Sequence, residues 1–216
     1  DPILSDEEID AKVFFNLDVY GRPVRTCIFP AGMEYDTFRD LTSLPDNTNE
    51  EILREIIHER ELFVIPGVLP DATAFPGAIP GVVHYGGEQT LSSLRKAGDK
   101  PLTSLGPQYL AALNISLALA TKRSLEHCGA RKDTTVFIEG GFANNKAYCA
   151  LLAALCPDLE FVVTSMKEGT SFGAALSGWM QVDGLSLETI GQEFDMGREK
   201  VRPCVCGDLR DRKSVV

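Results

Sequence analysis

The sequence has no long apolar run: its longest, residues 149–156, is far short of the ~20 residues that cross a bilayer, so no membrane span is expected. It also lacks an excess of positive charge. Thirty-one acidic against twenty-one basic residues leave a formal charge of -10, which disfavours a phosphate backbone or an anionic membrane as the main partner. No nucleic-acid partner is expected. No repeat of fixed period and no low-complexity tract is present, which sets aside solenoids and disordered arrays. Cysteine is sparse, six residues spread over 216, unlike the dense bridging of small secreted scaffolds, so a reducing, cytoplasmic setting is expected. His58, His84 and His127 stand apart without metal-ligand spacing. Cys204-Val205-Cys206 has one intervening residue where structural zinc pairs have about two to four, so these cysteines read as ordinary residues. Glu7, Glu8 and Asp10, and likewise Asp36, Asp40 and Asp46, read as helix starts and solvated faces rather than as acid and base pairs.

What is present is enough to fold. With 44% hydrophobic and 24% charged residues, the chain has the composition of one large or two small globular domains. It begins at Asp1 without a methionine or a leader pattern and reads as part of something longer. Residues 13–19 and 24–29 are β-rich runs parted by Tyr20-Gly21-Arg22-Pro23, a hairpin pattern. Asn47 or Thr48 is placed to cap a helix running to about Glu61, and residues 62–65 form a short buried strand. From residue 66 to 105 prolines and glycines disfavour long regular elements, while Phe75, Ile79, Val82, Val83 and Tyr85 give this stretch apolar groups to pack. Pro107, as a first helical residue, opens a helix with a stripe of Leu110, Leu113, Leu117, Ala120 and Leu125, closed by Gly129. The sequon Asn114-Ile115-Ser116 falls within that helix and is discounted as a glycan site. A strand at 134–138, a helix at 145–155, a strand at 161–164 and a helix at 170–181 come next. In the last of these Gly173, Ala174, Ala175 and Gly178 read as small residues for close packing, with Ala174 placed against the strand beginning near Phe161.

The most informative segment is Val136-Phe137-Ile138-Glu139-Gly140-Gly141-Phe142-Ala143-Asn144-Asn145, a strand that runs into two glycines and then a helix. Glycines at a strand's carboxyl end let a ligand approach the backbone without meeting a Cβ, and the helix start offers free N–H groups. Equally, the pair could simply turn the chain between two packed elements, with Asn145 as a helix cap. Neither the six-residue dinucleotide fingerprint nor the Walker lysine loop occurs, which counts against a Rossmann-like oxidoreductase.

The run from Gly140 to Asn145, with Glu168-Gly169-Thr170-Ser171-Phe172-Gly173-Ala174-Ala175 downstream, resembles the end of the FGGY family of carbohydrate kinases. Members read Gly-Gly-x-x-x-Asn in an adenosine motif and then Glu-Ala-x-x-x-Gly-Ala-Ala. Here Gly140, Gly141, Asn145, Glu168, Gly173, Ala174 and Ala175 fall on those positions. The stretch from Pro2 to Glu8 and Gly21-Arg22-Pro23-Val24 are similar, more loosely, to the segment after the second phosphate motif in such kinases. The resemblance implies an α/β fold of the ribonuclease H-like, actin-type ATPase class, a mixed sheet flanked by helices, with residues 1–216 forming a C-terminal nucleotide-binding domain. It implies ATP and Mg²⁺ as cofactors and a sugar or polyol as substrate. Sugar contacts, the first phosphate loop and the general base would lie in an N-terminal domain, so no catalytic residue and no metal ligand is assigned here. The nucleotide-binding residues it implies are Gly140, Gly141, Asn145 and Gly106, the last beside the Pro107 helix, where an N-cap glycine is an equal reading. Three positions depart from the pattern: Glu139 before the glycines, the bulky Phe142, and Gly169 in place of alanine. A non-catalytic actin-type nucleotide-binding or assembly module is the alternative, and oligomeric state, a homo-oligomer included, stays open.

Overall fold

The structure, a computed structural model, describes residues 3–69, 77–84, 87–97, 102, 104–166, 168–194 and 197–206. Phe75 and Tyr85, expected to pack, lie outside them.

Helix α1 (Asp6–Asp10) opens with a capping box in which Ser5 accepts from the Glu8 amide and the Glu8 side chain accepts from that of Ser5. Strands β1 (Val13–Leu17) and β2 (Pro23–Cys27) then pair antiparallel as the expected hairpin. Its turn is held by Asp18, whose Oδ1 accepts from the amides of Tyr20 and Arg22, each at 2.9 Å. Helix α2 (Ala31–Arg39) was not anticipated. Helix α3 (Glu50–Glu59) is capped by Asn49, not by Asn47 or Thr48: its Oδ1 accepts from the amides of Glu51 and Ile52 at 3.0 and 3.1 Å.

Strand β3 (Leu62–Ile65) joins β4 (Gly81–His84) and β5 (Gly87–Thr90) in an antiparallel sheet, followed by α4 (Leu91–Ala97). The proline and glycine content of this region suggested irregular chain. Two of its glycines instead start strands, and Gly81 sits so close to the backbone of Gln89 that an added Cβ would collide with it. Helix α5 (Gln108–His127) comes next, with Pro107 at the N-cap rather than the first helical position.

The last third runs β6 (Thr135–Ile138), a 3-10 turn (Gly140–Asn144), α6 (Lys146–Leu155), β7 (Glu160–Val163), α7 (Gly169–Asp183), α8 (Leu187–Glu193) and β8 (Glu199–Lys200). Strands β6 and β7 are parallel and β7 and β8 antiparallel, a mixed sheet. Among the described residues the strands form three small sheets rather than one. The fold is mixed α and β.

Helix α5 organises the core, packing on α2, α3, β2, β3 and α6. Tyr109, Leu110, Leu113 and Leu117 are wholly buried on it, and the Tyr109 hydroxyl donates to the Phe38 carbonyl at 2.7 Å. Asn114 of the discounted sequon is buried too. Helix α7 contradicts the expectation of close packing. None of its residues is buried, Ala174 is exposed, and nothing lies within 4 Å of a Cβ added at Gly173 or Gly178. Small side chains permit close approach but supply little apolar area to drive it, and here no described element covers them. Cys204 and Cys206, read as ordinary residues, are joined in a disulfide. Among the described residues no helix is long and apolar enough to cross a membrane.

Candidate functional site

The parallel pair β6 and β7 puts the turn after β6 at a strand's carboxyl end, and the chain leaves it through Gly140 with a φ of 72°. Only glycine adopts that conformation without strain. Nothing lies within 4 Å of a Cβ built on Gly140 or Gly141, so the open space is in front of both. Asn145 caps α6, its Oδ1 accepting from the Tyr148 amide at 3.0 Å.

A cleft of about 450 Å³ opens beside this turn, lined by Gly141, Asn144, Asn145, Lys146 and Ala147 on one side and by Tyr35, Asp46 and Thr48 on the other. Gly141 and Asn145 thus share one site, with Gly140 next to it in the chain. Gly106 does not line the cleft; it stands at the start of α5 with a φ of 59° and lets the chain turn into the helix. In the sequence Asp46 reads as part of a solvated face, and neither Tyr35 nor Lys146 stands out.

The two walls of the cleft are joined through α5. Asn145 Nδ2 donates to Asn114 Oδ1 at 2.8 Å, and Asn114 Nδ2 donates to Asp46 Oδ2 and Thr48 Oγ1, both at 3.3 Å. Asp46 also accepts from the Tyr35 hydroxyl at 2.5 Å and from the Thr48 amide at 3.0 Å. Burial works to raise the pKa of Asp46, but the hydrogen bonds from Thr48, Tyr35 and Asn114 outweigh it and hold the carboxyl below its ordinary range. Burial, with the Asp46 charge added, pushes the Tyr35 phenol well up, so it is a neutral donor at any ordinary pH.

The three departures from the motif acquire physical roles. Phe142 turns away from the cleft and packs on Tyr148 at 4.4 Å and on the edge of Tyr35 at 5.8 Å between ring centres. The Tyr148 hydroxyl beneath donates to Thr121 at 2.7 Å, and burial takes its pKa to about 12. Glu139 and Gly169 meet each other: the Glu139 carboxylate accepts from the Thr164 hydroxyl at 3.2 Å and fills the space that a Cβ on residue 169 would need. An acid before the glycines and a glycine in place of alanine are two halves of one contact.

The family model described as "Carbohydrate kinase FGGY, C-terminal domain" matches residues 6–185. Among solved structures, the crystal structure of a carbohydrate kinase from Novosphingobium aromaticivorans is similar with a TM-score of 0.59, at 18% identity over 91% of this chain. At that identity the likeness is one of fold. The chain spans 38% of the length of that chain. No curated protein matches the sequence. The glycine turn, its capping asparagine and the downstream helix lie inside the matched region, and the chain belongs to the FGGY carbohydrate kinase family, of which it carries the C-terminal domain.

Proposed function

We propose that residues 1–216 are the ATP-binding half of a carbohydrate kinase whose full length transfers the γ-phosphoryl group of ATP to a hydroxyl of a sugar or polyol. The observation that carries this reading is the cleft at Gly141 and Asn145: the family's adenosine motif borders open space, and an aromatic ring, amides and one lysine surround it. The walls are mixed, with Tyr35 and Ala147 beside Thr48, Asn144, Asn145 and Lys146, so an aromatic face and several hydrogen-bonding groups are on offer to a nucleoside. Adenosine would lie along Gly140 and Gly141, with Asn145 at its edge and the phosphates leading away. The proposal assigns the ribonuclease H-like, actin-type architecture to this domain, in keeping with its mixed sheet and its family.

The residues fit ATP better than they fit the metal. Among the described residues no group of three or more His, Cys, Asp or Glu is placed to hold an ion. Mg²⁺ in such sites is held largely by phosphate oxygens and water, so it makes little demand on this cleft. When bound it neutralises phosphate charge.

Phosphoryl transfer also needs a base beside the acceptor hydroxyl. Asp46 is the one carboxylate lining the cleft among the described residues, and its oxygens are already taken by Tyr35, Thr48 and Asn114. The base, the sugar contacts and the remaining phosphate contacts are therefore assigned to a further domain, like the part of the N. aromaticivorans chain that this one does not span. A coupled ADP-release assay with ketoses, aldoses and polyols tests the division. The 216-residue chain alone should turn nothing over, and the chain joined to an N-terminal domain should show sugar-dependent release. Nucleotide binding without transfer by the joined protein would favour a non-catalytic actin-type module. Turnover by the isolated chain would place the base here and contradict the reading.

A further inference from the structure

Two of the four cysteines outside the Cys204–Cys206 bridge come together from distant parts of the chain. Cys27 ends β2 and Cys128 caps the C-terminus of α5, a helix that packs on β2. Both line one cavity of about 330 Å³, whose walls are otherwise mostly apolar, Phe29, Leu125, Val136 and Leu152 among them. Gly129, with a φ of 80°, turns the chain directly after Cys128, and a Cβ added to it would stand 4.0 Å from Cδ of Arg25, two residues before Cys27. The Cys128 sulfur accepts a hydrogen bond from the Cys27 backbone, which puts it within hydrogen-bond reach of the residue that carries the other thiol.

Access separates this pair from the other two. Cys27 and Cys128 are partly exposed, whereas Cys149 and Cys156 are buried, and burial pushes both of those thiols up to about 11. Burial also raises the Cys128 thiol, with Cys27 adding to it, against the pull of the Cys27 backbone and of the Arg25 charge. The thiolate is the attacking form, so the first attack on an outside sulfur falls to Cys27 and the second, from inside the cavity, to Cys128. That second attack is intramolecular, and a thiol held beside its target acts at an effective concentration that a free thiol does not reach.

We propose that Cys27 and Cys128 form a dithiol–disulfide site that is oxidised by low-molecular-weight disulfides such as oxidised glutathione. The Cys27 thiolate attacks one sulfur of the small disulfide, whose S–S bond breaks, and one glutathione leaves as a thiolate that takes up the proton Cys27 released. The Cys128 thiolate then attacks the Cys27 sulfur, and the second glutathione leaves with the proton from Cys128. The protein loses two electrons and two protons, and the small disulfide gains both. The new bond ties β2 to the end of α5 and closes a loop of about a hundred residues, which includes the Tyr35, Asp46 and Thr48 wall of the cleft. A loop of that length strongly constrains the unfolded chain, so oxidation stabilises the fold. The inference does not depend on what the cleft binds.

The test treats the folded 216-residue chain with excess oxidised glutathione, alkylates the remaining thiols after unfolding, and digests with trypsin. Peptides 26–39 and 124–131, each with a single cysteine, should be recovered linked, and Cys149 and Cys156 should carry no glutathione. The melting midpoint should rise by about 5 °C or more over that of untreated chain. Cys128→Ser should stop with glutathione on Cys27 and show no such rise, which separates this bridge from any contribution of the Cys204–Cys206 pair. Recovery of the two peptides unlinked from treated wild type overturns the proposal. So does a linked pair with an unchanged midpoint, or a rise that Cys128→Ser shows equally. If Cys128→Ser does not fold, the digest and midpoint of wild type decide the matter alone.

Discussion

Helices α6 and α7 each come after a strand of the mixed sheet and both are built largely of small and apolar residues, yet their surroundings are opposite. In α6 Tyr148, Cys149, Leu151, Leu152, Ala153 and Leu155 are buried, against α5 and β7. In α7 no residue is buried, its only substantial packing among the described residues is on α8, and Val182 is 84% exposed. The difference lies in the neighbours. Helix α6 brings leucines to the apolar stripe of α5, whereas α7 brings Gly173, Ala174, Ala175 and Gly178 to a place where the described chain offers nothing to meet them. A small-residue pattern states how closely a helix can be approached and says nothing of whether it is.

The largest effect should come from the buried side. Leu151 is fully buried, so Leu151→Ala should lower the unfolding free energy by about 2–5 kcal/mol in urea denaturation. A loss below about 1 kcal/mol would mean that α6 is no better packed than α7.

Glu34 of α2 tests the polar part of the same core. Its buried carboxylate accepts from the amides of Gly67 at 3.0 Å and Val68 at 2.8 Å, and Glu34→Ala would leave both donors without it, at a cost of about 1–3 kcal/mol. Burial raises the folded-state pKa above the ordinary 4.5, against the pull of those amides. Above pH 4.5 the unfolded chain loses a proton that the folded chain keeps, so this group's contribution is full below that pH and declines as pH rises through the folded value. The gap in stability between wild type and Glu34→Ala should therefore narrow from pH 4.5 upwards. A gap that widens would reverse the assignment.

The smallest effects contrast the two environments with one substitution. Ala118 in α5 is wholly enclosed, so Ala118→Leu should overpack and cost about 1–3 kcal/mol. Ala174→Leu on α7 should change stability by less than about 0.5 kcal/mol, since its side chain is exposed. Equal losses at the two positions, read as shifts in melting midpoint, would show that α7 is covered in solution.

The same contrast explains what could be read from the sequence. The turn at Gly140 and Gly141, the cap at Asn145 and the helix after Pro107 were legible because each is set by local chemistry: a positive φ, an amide acceptor, a ring that fixes the backbone. Helix α2 was not, because it opens at Pro30 without a side-chain cap and carries a carboxylate, Glu34, on its buried face. Asp46 reads in the sequence as one more solvated acid, and Asn114 only as part of a discounted sequon. Their roles depend on partners 68 and 31 positions away in the chain, which periodicity and capping rules do not reach. Ala174 failed for the reason α7 did, a property of the helix taken for a property of its surroundings.

The central claim is that the open space beside Gly141 is a nucleotide site, and a branched side chain placed there tests it most directly. Gly141 is exposed and a Cβ added to it meets nothing within 4 Å, so Gly141→Val should leave the melting midpoint nearly unchanged while filling the cleft. Titration calorimetry with Mg-ATP should show binding to wild type and at least tenfold weaker binding to the folded variant. Equal affinity for ATP in the two proteins would place the nucleotide elsewhere and contradict the account.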